Sequence, residues 1–153
     1  MVTKLARAAL ALLGALILTA PLAAEEREYA VGQIWSYKTA ASDLRSLIKI
    51  QEIDQIGPKD DPVTVYHISM IGIAVSDASE PIEIGHLPVS RQTLDRSVTK
   101  LMEHPGPVVP LFPDYTEGKA NWEEANGGVF TITLMEIAEI IRSQVAPRLR
   151  HGT

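Results

Sequence analysis

The stretch VTVYHISMIGIAV, Val63–Val75, is the longest run of strand-forming residues in the chain. β-Branched and aromatic side chains pack well on a pleated sheet, and both period-2 faces of this run are apolar. The pattern predicts a central strand that is covered on both sides. One of its faces also carries His67 and Ser69 among aliphatic residues, so a functional site is first sought there.

Two strands are predicted before this one. Gly32–Thr39 alternates with an aromatic face that holds Trp35 and Tyr37, and Leu44–Ile56 alternates apolar and polar residues. The breakers and charges of GPKDDP, residues 57–62, turn the chain back into Val63–Val75. The three strands are therefore expected to form a meander.

A short edge strand and a helix are predicted to follow. Pro81 cannot donate to a sheet ladder, so Pro81–His86 is expected to lie at an edge. Ser90 is a natural N-cap, and His104-Pro105-Gly106 is expected to end the helix that it begins. Four apolar residues recur at helical spacing between these limits: Leu94, Val98, Leu101 and Met102.

The segment His104–Asn126 is the least regular part of the chain and contains four prolines in its first half. Long loops of this kind are functional or pack on the body through their own side chains. A helical turn is expected at Ala120–Ala125. Asn126-Gly127-Gly128 then predicts a turn into a last strand, Val129–Ile132.

The final helix has the strongest local signals. Thr133 and Glu136 form a T-x-x-E capping box, which predicts a helix over Thr133–Val145, and Pro147 is expected to stop it. The whole pattern predicts an α+β single domain: a mostly antiparallel sheet of four or five strands with two helices packed on one face.

The N-terminus has the pattern of an export signal, residues 1–24. Lys4 and Arg7 precede the apolar segment Ala8–Leu18, and small residues favour cleavage after Ala24. An uncleaved membrane anchor is the alternative, because the apolar-compatible stretch reaches the lower limit of a membrane span. A charged leader at 25–28, a domain over 29–146 and a basic C-terminal tail at 147–153 complete the expected organisation. We expect a periplasmic or secreted protein whose only membrane contact is through this signal or anchor.

Composition narrows the classes of partner. Removal of the signal leaves 12 of the 14 basic residues and all 19 acidic residues, a net charge of −7. This balance argues against nucleic acid and anionic lipid as main partners, although it would suit a basic protein. The chain has no cysteine, so packing alone must hold the domain together in an oxidising compartment.

Several blocks of sequence resemble a pattern found in small bacterial proteins without an established activity. These blocks are GQIWSYKT (32–39), VYHISMIGI (65–73), IGHLPVS (84–90) and NWEEANGGVFTIT (121–133). The resemblance covers most of the mature chain and implies an α+β single domain, but no chemistry. A basic residue expected after the Lys-Thr pair is Ala40 in this chain.

His67 and His86 are the first candidate site residues. An antiparallel fourth strand would bring them together, where they would bind a metal with a nearby carboxylate or act as a general base. No H-x-x-x-H or H-E-x-x-H motif fixes a third ligand, so the metal is unknown. We favour the alternative in which His67 bonds to Ser69, Thr64 or a backbone carbonyl, and His86 is a cap or turn residue.

An aromatic surface is the second candidate. Trp35 and Tyr37 on a strand, with Tyr115 and Trp122 in the irregular segment, would line a groove for a peptide or glycan. We favour the alternative, in which the irregular segment packs its own Tyr115 and Trp122 onto the sheet as a secondary core.

The sequence has no G-x-S-x-G motif and no Gly-rich loop that opens a helix. No cofactor is therefore expected. The sequence favours an exported, non-catalytic binding protein of the inhibitor or immunity-like kind, with a protein or peptide partner. A small metal-dependent or carboxylate-using enzyme centred on His67 and His86, and an envelope-structural protein held by an uncleaved anchor, are the alternatives. Oligomeric state is left open.

Overall fold

The computed structural model describes residues 26–75, 80–102 and 110–150, with the side chains of 145–150 excepted. The predicted signal, the end of the basic tail at 151–153 and most of the proline-rich stretch lie outside the described residues. Five strands form one antiparallel sheet in the order β4-β3-β2-β1-β5. The strands are β1 (Ile34–Tyr37), β2 (Leu47–Ile56), β3 (Val63–Ile73), β4 (Ile82–Val89) and β5 (Val98–Leu101).

The predicted fold class is confirmed, and β1, β2, β3 and β4 follow one another as a meander. Strand β4 is an edge strand as expected, but it runs eight residues, to Val89. Pro88 is accommodated because the outer edge of β4 pairs with no further strand there. Instead, the Pro88 carbonyl accepts a hydrogen bond from the amide of Phe130 at 2.9 Å.

Within the described residues, three α-helices accompany the sheet: α1 (Arg91–Ser97), α2 (Thr116–Glu124) and α3 (Leu134–Arg150). Helices α1 and α3 pack on one face of the sheet, where they contribute Leu94, Leu134 and Ile137 to the core. The core face of the sheet supplies the largest aliphatic and aromatic side chains: Trp35, Tyr37, Ile48, Ile50, Tyr66, Ile68, Met70 and Ile73. Two helices on one face were expected, and the third, α2, lies over the opposite face.

Both helix starts that the sequence predicted have their caps. The Ser90 side chain accepts a hydrogen bond from the amide of Thr93 at 3.1 Å. The Thr133 amide donates to the Glu136 carboxylate at 2.8 Å, and the Thr133 hydroxyl accepts from the Glu136 amide at 3.3 Å. These reciprocal bonds are the capping box.

The first helix is shorter than predicted. It ends at Ser97, and Val98 and Leu101, which were assigned to its apolar face, lie in β5 against β1. Val98 and Thr99 are β-branched and favour a strand, and the unpaired edge of β1 supplies hydrogen-bond partners that a longer helix would leave unused. The predicted end at His104-Pro105-Gly106 lies outside the described residues.

Two other predicted boundaries were wrong. The expected last strand Val129–Ile132 is reduced to a single bridge between Val89 and Phe130, since the capping box of α3 begins three residues later. Helix α3 continues to Arg150 and does not stop before Pro147. The turn at Asn126 is confirmed, with Asn126 in the left-handed conformation at φ 48°.

Candidate functional site

The candidate site lies on the sheet face that α2 covers. Strand β3 presents His67 and Ser69 to this face, β4 presents His86, and β2 presents Glu52 and Asp54. Helix α2 and its N-cap residue Tyr115 lie over them: the side chains of Tyr115, Lys119 and Trp122 are directed at the sheet, and the backbone of Gly118 lies against His86. Polar and aromatic contacts therefore join three strands and one helix at one place.

His67 and His86 meet at the centre of the site. Nδ1 of His67 lies 2.8 Å from Nε2 of His86, and the ring planes are 20° apart. The ring centroids are 5.1 Å apart, a separation that the hydrogen bond and the two ring radii together account for. The rings thus lie side by side in nearly one plane, joined by the hydrogen bond. His67 is fully buried, and His86 is half-buried within β4.

The hydrogen bonds of His67 and the position of His86 differ from the favoured prediction. His67 bonds to His86 and not to Ser69, Thr64 or a carbonyl, and His86 lies inside a strand and not in a cap or turn. Ser69 donates to the carbonyl of Gly85 at 2.6 Å and accepts from Gln51 at 2.9 Å. Ser69 therefore has a structural role in joining β3 to its two neighbours.

Asp54 fixes the tautomer of His67. Its Oδ2 lies 3.3 Å from His67 Nε2, a buried nitrogen that has no hydrogen-bond partner among the described residues. A lone pair on Nε2 would face the carboxylate, so the proton belongs on Nε2 of His67. His67 Nδ1 then accepts from Nε2 of His86, and the lone pair of His86 is on Nδ1.

Lys119 bridges the two carboxylates above the histidines. Its Nζ lies 2.6 Å from Glu52 Oε1 and 2.8 Å from Asp54 Oδ2, and 3.5 Å from Glu123 Oε1 one turn along α2. Only 16% of the Lys119 side chain is exposed. The Tyr115 hydroxyl donates to the other oxygen of Glu52 at 3.1 Å. This network ties α2 to β2.

The pKa values follow from burial and from the Lys119 charge. Burial, and then Lys119, holds the pKa of His67 below its ordinary value despite the nearby Asp54 carboxylate. Burial, then His67 and Lys119, lowers the pKa of His86 to about 4. The hydrogen bond from Lys119 keeps the pKa of Asp54 low against partial burial. Both histidines are therefore neutral at pH 7.

The carboxylates do not form a metal centre with these histidines. Within the described parts of the chain, no three histidine or acidic side chains are grouped so that they could hold a metal ion. Glu52 and Asp54 direct their charge at the Lys119 ammonium, which occupies the place that a cation bound to both carboxylates would need.

Trp122 covers the histidines and separates two open pockets. Its ring meets that of His67 edge-on at 5.1 Å, and its Nε1 donates to the carbonyl of Gly128 at 2.9 Å. A pocket of about 300 Å³ lies on one side, lined by Ile56, Trp122, Glu123, Asn126 and Gly127. A pocket of about 390 Å³ lies on the other, lined by Pro88, Trp122, Gly128, Val129 and Phe130. We call the two together the Trp122 groove.

The four aromatic residues predicted to share one surface lie on opposite faces of the sheet. Trp35 and Tyr37 are 6% and 5% exposed, in the core beneath α1 and α3. Tyr115 and Trp122 lie over the histidine face. The Tyr37 hydroxyl bonds to Ser46 at 2.7 Å inside the core. A groove lined by all four rings is therefore not formed.

Comparison with known proteins gives no match: no family model, no curated protein and no solved structure is similar enough to the chain to establish a relationship. The resemblance to small bacterial proteins therefore stays a prediction. Among the helices that the structure describes, each is too short or too polar to cross a membrane.

Proposed function

We propose that this chain is an exported, non-catalytic binding protein that holds an extended, largely apolar segment of a protein or peptide partner in the Trp122 groove. The observation that carries the proposal is the position of Trp122 as a shared wall between two open pockets. Amphipathic aromatic rings that stand between pockets are common anchors of recognition surfaces.

The Trp122 ring is held in place by contacts within the chain. The Trp122 indole is held by its bond to the Gly128 carbonyl, by the ring of His67 and by the backbone of Gly127, whose amide donates to the Trp122 carbonyl at 2.9 Å. A side chain that is already held by such contacts loses little conformational entropy when a partner binds. This pre-organisation favours binding over a purely packing role for the ring.

The lining indicates the chemistry of the partner. Pro88, Val129 and Phe130 make one pocket apolar, and Phe130 is 40% exposed. The other pocket adds the exposed carboxylate of Glu123 beside Ile56. A segment with an apolar residue for the first pocket and a basic residue near Glu123 would complement both, in keeping with the net acidic charge of the mature chain.

An enzyme centred on the two histidines has less support. His67 is fully buried, and neither pocket of the Trp122 groove is lined by His86. With its pKa lowered to about 4, His86 has little tendency to take a proton from a substrate at neutral pH. In the proposed binding protein, the two histidines instead support the ring of Trp122.

Site-specific photocrosslinking tests the proposal. A benzophenone amino acid replaces Phe130 in the groove or, as a matched control, Met135 on α3, which is 44% exposed on another surface. We expect one defined adduct from envelope-located protein at Phe130, lost when Trp122→Ala is added, and none at Met135. Equal adducts from both positions, or an adduct at Phe130 that Trp122→Ala leaves unchanged, would refute the groove.

The mass of the protein purified from the envelope tests the predicted export. The intact mass of the purified envelope protein should correspond to a chain that begins at Glu25, as cleavage after Ala24 predicts. A mass that includes residues 1–24 would support the anchored alternative instead.

A further inference from the structure

Helix α2 is attached to the sheet mainly by polar contacts. None of its residues is fully buried, in contrast to α1 and α3, which insert aliphatic side chains into the core. Its attachments are the bonds of Tyr115 and Lys119 to β2, and the contact of Trp122 with the histidine rings. A helix held in this way can separate from the sheet at a lower cost than the core requires to open.

The histidine pair lies at the part of the sheet where α2 rests. The backbone of Gly118 approaches His86 so closely that an added Cβ would lie 2.6 Å from the His86 Cβ. The charged and titratable groups around the pair are Glu52 and Asp54 of β2, and Tyr115, Lys119 and Glu123 of α2. Glu52 and Asp54 are already hydrogen-bonded to Lys119, so a protonated histidine would have to share these carboxylates with the Lys119 ammonium.

We propose that α2 is an acid-released cover: proton uptake by the His67–His86 pair detaches α2 from the sheet while the core stays folded. A proton on His86 adds charge in a half-buried site near Lys119, where no carboxylate of the described residues forms an ion pair with His86. A proton on His67 places donors on both ring nitrogens, so the bond to His86 survives only if His86 changes tautomer. Release relieves both conflicts, because water then reaches the rings.

The direction of the pH effect follows from linkage. The histidine pKa values are lowered when α2 is docked, so the released state binds protons more strongly, and docking weakens as pH falls from about 6.5 towards about 4. Full recovery of the ordinary pKa by His86 alone would raise the open fraction by up to about 20-fold between pH 7 and pH 5. Asp54 responds in a lower pH range, because its pKa lies below 3.8.

Release also removes the wall that the two pockets share. Trp122 is part of α2, so the Trp122 groove exists only while α2 is docked. A bound partner would thus dissociate at acidic pH. This consequence rests on the proposed function, whereas the release of α2 does not.

Amide hydrogen exchange of the purified protein, measured by NMR at pH 7 and pH 5 and corrected for intrinsic rates, tests the release without any ligand. We expect protection of residues 116–124 to fall about tenfold, while the core amides of Ile48 and Ile68 stay protected. The His67→Gln/His86→Gln variant should lose this pH response. His104→Gln/His151→Gln, which changes the other two histidines of the chain, should retain it.

Three outcomes would overturn the proposal: unchanged protection of α2 at pH 5, simultaneous loss of protection in α2 and the core, or a pH response that persists without His67 and His86. If the double glutamine variant does not fold, an NMR titration of the His86 C2 proton in the wild-type protein tests the release instead. Its titration must share the midpoint of α2 opening, and titration near pH 6.5 with α2 still protected overturns the release. Loss of crosslinking from Phe130 with normal α2 release would count against the binding function alone.

Discussion

Nδ1 of His67 and Nε2 of His86 lie 2.8 Å apart, although the two residues are not register partners, since His67 pairs with Pro88. Irregular pairing between β3 and β4 beyond Ile68 shifts the strands and brings His86 alongside. The carboxylate of Asp54 lies 3.3 Å from His67 Nε2, so we infer that the hydrogen bond of the pair runs from His86 as donor to His67 as acceptor. From these contacts we infer one proton position for each ring.

The first prediction is the tautomer of each ring. At pH 7 both histidines should be neutral and protonated on Nε2, because burial and Lys119 lower both pKa values and Asp54 faces His67 Nε2. Long-range 1H–15N NMR of the imidazole nitrogens distinguishes the tautomers, with His104→Gln and His151→Gln used for assignment. A protonated Nδ1 on neutral His86 would reverse the inferred hydrogen bond.

The second prediction concerns Lys119. Lys119→Met should lower the free energy of unfolding by about 1–2 kcal/mol, between the values for an exposed and a buried ion pair, because Glu52 and Asp54 lose their counter-charge. Chemical denaturation measures the change. Lys59→Met, in the exposed turn between β2 and β3, is the control and should shift stability by less than about 0.5 kcal/mol. Equal effects from both variants would remove the evidence for the network.

Most of the fold is predictable because the signals are local. The alternation in Val63–Ile73, the cap at Ser90 and the capping box at Thr133 each depend on neighbours within four residues, and each is present in the structure. The signal that determines strand β5 is not local. Val98 and Leu101 fit a helical period equally well, and only the unpaired edge of β1, some 60 residues earlier, decides between the two structures.

The site is predictable only in part for the same reason. Alternation from Ile48 and Ile50 would direct Glu52 and Asp54 into the core, but a bulge at Gln51 reverses the faces of β2. Neither carboxylate was therefore expected beside His67. Lys119 was missed because its helix begins at Thr116, four residues earlier than the predicted turn at Ala120–Ala125. The T-E-G-K-A-N-W spacing, which puts Lys119 and Trp122 on one helix face, was the available signal.

The third prediction uses two adjacent glycines. A Cβ on Gly127 would lie 2.1 Å from the Trp122 ring, whereas a Cβ on Gly128 would meet nothing within 4 Å. Gly127→Ala should therefore displace the indole and cost about 1–3 kcal/mol, as overpacking does, while Gly128→Ala stays within about 0.5 kcal/mol of wild type. The indole N–H resonance of Trp122, which reports its bond to the Gly128 carbonyl, should move only in Gly127→Ala. Similar spectra for both variants would show that Trp122 is not packed against Gly127.

The fourth prediction concerns a buried ion pair on the other side of the sheet. Asp43, 2% exposed, accepts a hydrogen bond from the amide of Ala74 at 2.8 Å and pairs with Arg142 of α3. Arg142 Nε also donates to the Ala74 carbonyl at 2.8 Å, so the two side chains join α3 to the end of β3.

Because Arg142→Met leaves the Asp43 carboxylate buried without its counter-charge, the variant should lose about 3–5 kcal/mol of unfolding free energy. Glu139→Gln is the matched control: Glu139 also pairs with Arg142 but is 67% exposed, so its loss should cost less than about 1 kcal/mol. Denaturant unfolding of both variants measures the difference. A small loss in Arg142→Met would mean that the hydrogen bonds from the Ala74 amide and the Ser42 hydroxyl are enough to hold Asp43, and that α3 is anchored by its aliphatic contacts and not by the ion pair.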